Sequence, residues 1–318
     1  MPKPVVLVTG NAGFIGSHLT NTLLKLHYPV IGVDNFNSYY DPLIKEKNIH
    51  SALKNKSFRQ YRADILDKKL LEKIFQTHRP QIVVHLAARA GVRPSIDNPE
   101  LYHQVNVDGT KNLLDLAKKY KIRQFIFTSS SSVYGDQKKV PFSETDALSP
   151  VSPYAATKLE AEKLCQQSDL PMTILRFFTV YGPGGRPDIA PYIFTKKILN
   201  GEPIIRFGDG TTSRDYTYID DIITGIVAVL GKTWQCEIIN LGNNHPVQLN
   251  DFIKTIESIT GKKAKIIEQP RHPADVPQTY ADITKAKKLL HWQPKTDLKT
   301  GLTKLIKWFK FTQPIHHQ

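Results

Sequence analysis

The chain has 318 residues, enough for one large or two small domains with a substantial core. Its 43 basic and 29 acidic residues leave a net charge of +14, which fits an anionic metabolite or a well-solvated surface, while no zinc-finger spacing, aromatic-basic RNA signature or long basic tail points to nucleic acid. The longest apolar run, Ile222 to Leu230, is about half of a membrane span. The N-terminus lacks signal-peptide organisation, and the two cysteines, Cys165 and Cys236, have neither a CxxC partner nor a histidine cluster. The expectation is a cytoplasmic protein with no membrane span, no disulfide framework and no metal site.

Residues 4 to 9 read as a short apolar strand, followed by Gly10, Gly13 and Gly16, with Phe14 and Ile15 opening a helix. Glycines there let the backbone turn tightly and approach a pyrophosphate, whose charge meets the free N–H groups of the helix N-terminus. The spacing is GxxGxxG rather than GxGxxG. The next strand, Val30 to Val33, ends in Asp34 and Asn35; the carboxylate is placed to accept from a ribose 2′-hydroxyl and to repel a 2′-phosphate, which favours NAD over NADP. Further strands read at Ser57 to Tyr61 and Gln81 to His85, with Asp64 and Ile65 in the turn after one and Leu86, Ala87 and Ala88 after the other. Asp64 could cap its loop or reach an adenine. Helices are expected from Asp67 to Thr77 and from Pro99 to Tyr120, the second carrying Asn106. This alternation predicts an α/β protein: a Rossmann-type doubly wound parallel sheet, with ligands beyond the carboxyl ends of its strands.

Phe127 to Gly135 reads as a buried strand running into a serine-rich turn, and Ser152 as the N-cap of a helix with Pro153 in its first turn. On that helix Tyr154 and Lys158 are four residues apart and share a face. A tyrosine hydroxyl becomes a base at neutral pH only if its pKa falls by about three units, roughly 4 kcal/mol of differential stabilisation. One cation at ~4 Å and an effective dielectric of ~20 is worth about that much. Lys158 and a nicotinamide cation could supply it, with Ser130 holding the reacting oxygen. A surface pair on an ordinary helix is the alternative for any single YxxxK.

In the second half, Thr179 to Asp188 forms a glycine- and proline-rich loop that cannot be a helix. Ile205 to Gly210 reads as a strand entering a turn, with Phe207 placed to stack on a base or to fill core. Asp220 and Asp221 are expected to cap a helix through Leu230, which returns to the larger lobe together with a strand from Glu237 to Leu241. The expected division is a Rossmann domain over 1–177, taking back 215–242, and a smaller α/β substrate-binding lobe over 178–318, with the substrate between them.

The glycine loop, the HxAA segment from His85 to Ala88, the serine run and YxxxK together resemble the extended short-chain dehydrogenase/reductase (NAD-dependent epimerase/dehydratase) family, whose members modify nucleotide sugars. The resemblance spans nearly the whole chain. It implies a tightly held NAD, Ser130, Tyr154 and Lys158 as the catalytic set, Ser131 and Ser132 facing the sugar, and Phe178 packing near the nicotinamide. It places Asn106 among the cofactor residues and implies a homodimer built on paired helices around 99–120 and 154–168. Arg214 and Arg271 are similar to the two arginines that grip the nucleotide diphosphate, with Ile205, Phe207 and Tyr216 expected to touch the substrate nearby.

Thr179 with Gly-Arg-Pro-Asp after it, and the segment from Asp34 to Asp41, are similar to the branch acting at C4 of UDP-glucuronate and yielding UDP-galacturonate. A substrate carboxylate gives Arg186 a charge-assisted bond to make and Thr179 a hydroxyl to offer, with Arg89 and Arg93 as further candidates. Alternatively Arg186 pairs internally with Asp188. A UDP-glucuronate decarboxylase would use the same oxidation, and a UDP-glucose 4-epimerase would lack the carboxylate contacts. A 4,6-dehydratase needs a carboxylate where Ser131 and Ser132 stand. Outside enzymes, a non-catalytic NAD-binding regulator remains.

Overall fold

A computed structural model describes residues 2–271 and 275–312. Its strands are β1 Val6–Thr9, β2 Val30–Asp34, β3 Phe58–Arg62, β4 Ile82–His85, β5 Gln124–Ser130, β6 Met172–Phe177, β7 Thr179–Tyr181, β8 Pro203–Phe207, β9 Ser213–Tyr218, β10 Cys236–Leu241, β11 Pro246–Gln248 and β12 Lys265–Gln269. Seven of them form one parallel sheet in the order β10-β6-β5-β4-β1-β2-β3. Residues of β1, β2, β4 and β6 are buried throughout, as a sheet covered by helices on both faces demands. Strand order reverses between β1 and β4, which opens a crevice at their carboxyl ends.

The sheet's outer strand is the one expected over Glu237 to Leu241 as a return to the larger lobe. β10 pairs with β6 in parallel, from Cys236 opposite Met172 to Leu241 opposite Phe177. The helix Ile219–Val229 leads into it and contributes Ile219, Ile222 and Ile226 to the main core. The remaining strands make a three-stranded sheet, β11-β9-β7, and a separate parallel pair, β12-β8.

Several expectations need correction. Thr179 does not lie in a loop: it opens β7, pairing opposite Tyr216, and the irregular segment starts only at Gly182. The helix expected over 99–120 is interrupted by a π-helical turn, Gln104–Asp108, between the helices Pro99–His103 and Gly109–Lys119. A short helix, Val92–Asp97, precedes it unforeseen. Asp220 and Asp221 do not cap their helix, because the N-cap is Tyr218 and no side chain bonds there. Asp221 instead accepts from the amides of Lys295 (3.0 Å) and Thr296 (3.0 Å), holding a distant loop against the helix.

No helix among the described residues is long and apolar enough to cross a membrane, and no cluster of three or more metal-ligating side chains occurs among them.

Candidate active site

A cavity of about 330 Å³ opens at the carboxyl ends of β1, β2, β4, β5 and β6. Gly10, Gly13, Phe14, Ile15 and Gly16 form one wall. Gly10 has φ +70°, and a Cβ there would lie 2.8 Å from the Ala87 amide, so the loop and the β4 turn can touch only with glycine. No side chain caps the helix Phe14–Lys25, which leaves its first N–H groups for a ligand. Asp34 stands at the end of β2, its carboxylate accepting from the amides of Phe36 (2.8 Å) and Ala12 (3.3 Å). Asn35, Asp64, Ile65, Leu86, Ala87 and Ala88 also line the cavity, and Asn35 donates to Asp64 at 2.7 Å. An uncapped helix end, a glycine that must be bare and a carboxylate at the second strand end fit an NAD-sized dinucleotide.

Ser130, Tyr154, Lys158 and Phe178 reach the same cavity from β5, the helix Pro153–Gln166 and the end of β6. Ser152 caps that helix by accepting from the Ala155 amide at 3.2 Å, which sets the helix start and aims the Tyr154–Lys158 face at the cavity. The Lys158 ammonium donates to the Thr128 carbonyl at 2.7 Å and lies 4.9 Å from the Phe127 ring centre. Burial pushes its pKa down to about 8. Burial raises Tyr154, and a hydrogen bond with Ser130 and the nearby charge of Arg186 oppose that rise. Ser130 Oγ also accepts from the Ser132 amide (3.2 Å) and donates to Ser132 Oγ (3.0 Å).

Beneath this site His85, overlooked as a functional residue, is clamped between Thr9 (2.7 Å) and Thr110 (3.0 Å). Thr110 already donates to the Asn106 carbonyl, so it accepts from Nε2–H, and Nδ1 accepts from the Thr9 hydroxyl. Burial, with Lys158 adding to it, holds the imidazole neutral, its pKa pushed down to about 3.

Not every expected residue joins the cavity. Asn106 stands outside its lining: Oδ1 accepts from the Arg89 amide (2.7 Å), while Nδ2 donates to the Arg89 carbonyl and Thr157 (both 3.0 Å). It pins the post-β4 segment to the tyrosine helix, and both of its amide hydrogens are committed there. Ser131 and Ser132 belong to a single helical turn beside Ser130, outside the lining. Tyr216, expected to touch substrate, is core: it stacks on Phe252 with ring centres 4.5 Å apart, edge-on to Tyr181.

Thr179, Arg89 and Arg186 do line the cavity. Arg186 takes the internal pairing, bonding Asp188 through Nε (2.9 Å) and Nη2 (2.5 Å). Tyr39 and Tyr40, noted only as part of the Asp34–Asp41 segment, and Lys45, not noted at all, line the cavity from the segment after β2. Lys45 is buried 3.7 Å from the Asp34 carboxylate and donates to Asn37. Nothing in the residue pattern distinguishes it from the other lysines of that helix.

A second group gathers around β8. Arg93 lies 3.8 Å over the Phe207 ring and pairs with Asp275 at 2.7 Å. Phe207 thus carries a cation on its face instead of filling core. Ile205 is half-buried on the same strand. Arg271 donates to the Asp275 carbonyl (3.1 Å), and Arg214 to those of Ser213 (2.8 Å) and Pro277 (3.4 Å). Burial lowers the pKa of Arg214, with Tyr216 and Asp275 opposing and the Arg271 charge adding a little. His272, Pro273 and Ala274, beside Arg271, lie outside the described residues.

Comparison with known proteins gives concordant results. Residues 7–305 match the family model described as GDP-mannose 4,6 dehydratase. A UDP-glucuronate 4-epimerase of Thermodesulfobacterium geofontis is 44% identical over 309 residues, 96% of this chain and 95% of that one. The crystal structure of UDP-glucuronic acid 4-epimerase from Bacillus cereus, in complex with UDP-glucuronic acid and NAD, superposes with a TM-score of 0.92 at 41% identity, covering 96% of this chain and 99% of that one. A Thermotoga maritima UDP-glucose 4-epimerase with UDP-glucose reaches 0.89 at 35% identity, covering 97% and 99%.

Proposed function

The chain belongs to the extended short-chain dehydrogenase/reductase family of nucleotide-sugar-modifying enzymes, and we propose that it is an NAD-dependent isomerase inverting C4 of UDP-glucuronate to give UDP-galacturonate. The observation that carries this reading is one cavity lined by Ser130, Tyr154 and Lys158 together with Thr179 and Arg186. The first three serve any C4 oxidation; the last two suit a carboxylate.

Tyr154 takes the proton from the sugar 4-hydroxyl, and Lys158, charged below about pH 8, favours the phenolate that does so. Ser130 holds the reacting oxygen. Bound NAD, seated by the glycine turn, Asp34, Asp64 and the Ala87–Ala88 turn, supplies the hydride acceptor and donor. The 4-keto sugar turns over in the cleft and is reduced on its opposite face, with Tyr154 returning the proton. Thr179 and Arg186 hold the carboxylate of this β-keto acid away from alignment with the carbonyl π system, which would release carbon dioxide. Arg214 and Arg271 take the diphosphate and Phe207 the base side, with Arg93 beside it. The carboxylates lining the cavity are Asp34 and Asp64, on the β2–β3 side and not beside Ser130, which disfavours a dehydratase.

The test is chromatography with mass spectrometry on the purified protein incubated with UDP-glucuronate, beside a parallel UDP-glucose reaction. A new peak of unchanged mass from the uronate alone is expected. A product lighter by one carbon dioxide makes the enzyme a decarboxylase. Turnover of UDP-glucose alone makes it a neutral-sugar epimerase, and turnover of neither, with NAD bound, a regulator. The reading also includes a homodimer through the helices around 99–120 and 153–166, checked by light scattering.

A further inference from the structure

Tyr39 has no part in the chemistry above, yet three charged groups from two other parts of the chain converge on it. Its hydroxyl donates to Asp188 Oδ2 at 3.0 Å, across 149 positions of sequence. The Arg186 guanidinium lies 5.5 Å from its ring centre and that of Arg89 5.8 Å. A Cβ at Gly91, where φ is +113°, would come within 2.7 Å of the same hydroxyl, so this turn stays bare to let Tyr39 in. Burial, and then Asp188, keep Tyr39 protonated and able to donate.

The bonding of Arg186 is lopsided in a useful way. A guanidinium has five N–H donors: one on Nε and two on each Nη. Asp188 takes Nε–H and one hydrogen of Nη2. That occupies one edge of the fork and leaves the Nη1/Nη2 end. Arg186 and Tyr39 line the cavity, whereas Asp188 stands behind them.

We propose that Asp188, steadied by the Tyr39 hydroxyl, is a positioning residue for Arg186, fixing the guanidinium plane so that its Nη1/Nη2 end receives the uronate carboxylate at one angle. This rests on the function proposed above and names what sets its product. A carboxylate held through both oxygens cannot rotate unless its partner rotates too. Asp188 and Tyr39 deny Arg186 that rotation. The brace also enters the sugar site from the segment that begins at Asp34, so the cofactor end of the cavity and the carboxylate clamp share one stretch of backbone.

The experiment compares Tyr39→Phe and Asp188→Asn, each alone and combined with Arg186→Ala, in protein purified with its NAD. Product mass, kcat and KM for UDP-glucuronate, and the thermal midpoint are read. Each single variant is expected to raise KM roughly three- to tenfold, the size of one ordinary lost hydrogen bond, and to raise the share of product lighter by carbon dioxide. Thermal midpoints stay near wild type. On the Arg186→Ala background neither change has a further effect. If Asp188 merely competes with substrate for Arg186, Asp188→Asn lowers KM and the proposal falls. It falls too if the effects add to that of Arg186→Ala, or if the variants match an active wild type. A wild type that leaves UDP-glucuronate untouched overturns the underlying function instead, and this inference with it.

Discussion

Lys158 carries its charge where burial penalises it, and the penalty gives a measurable signature. Its pKa lies below the ordinary lysine value of 10.5, at about 8, so between those limits the unfolded chain binds the proton that the folded chain has released. Stability from this site therefore rises with pH across that window. Lys158→Met removes the effect: the melting temperature of the wild type should gain on that of the variant as pH rises from about 8 to 10.5, read by calorimetry. Activity moves the other way, since the variant loses the cation that favours the Tyr154 phenolate; kcat should fall at least about 100-fold with NAD retained. Tyr154 and Lys158 were legible in the sequence because helical spacing alone puts them on one face. The contact between Asp188 and Tyr39 was not: each stands in a recognisable segment, but the hydrogen bond joins positions 149 apart. Asn106 was placed among the cofactor residues by resemblance, whereas its side chain bonds Arg89 and Thr157.

Between elements, the tyrosine helix is fastened to the sheet by a buried ion pair. Arg176 of β6 reaches Glu162 through Nε (3.0 Å) and Nη2 (2.8 Å), both side chains being at most 1% exposed. Nη1 donates to the Tyr134 hydroxyl at 3.0 Å, and that hydroxyl donates to Asn240 of β10 at 2.7 Å. The chain of bonds thus joins β6, the helix, the turn after the serine run and the sheet's outer strand. Removing one partner strands a buried charge, so Glu162→Gln should cost about 3–5 kcal/mol in denaturant unfolding. Arg176→Met with Glu162→Leu should cost less than the two single changes summed. A double mutant that is merely additive would show that the two charges are not coupled. Most elements of the parallel sheet were readable because apolar runs and helix caps are local signals, Ser152 being the clearest. β7 was not, since three residues beside glycines and prolines become a strand only through pairing with β9. The π-helical turn at 104–108 leaves no mark in residue type either.

The molecule as a whole is not divisible at the end of β6. Every residue of β6 is buried, with β5 on one side and β10, some sixty positions downstream, on the other. A fragment ending at residue 178 leaves that apolar edge unpaired, and such edges recruit other chains. It is expected to aggregate when expressed alone; a soluble monomer of cooperative stability would contradict this. The opposite extreme is the parallel pair of β8 and β12. β8 is anchored through buried Ile204, whereas all five residues of β12 are exposed and its only strand partner among the described residues is β8. Two strands alone hold one another weakly. Amide hydrogens of β12 should therefore exchange with solvent well before those of β1 or β4, which mass spectrometry after deuterium labelling would read. Arg271 follows this strand after Pro270. One of the two arginines proposed for the diphosphate would then sit beside a weakly held strand, so the nucleotide end of the product is expected to loosen before the sugar.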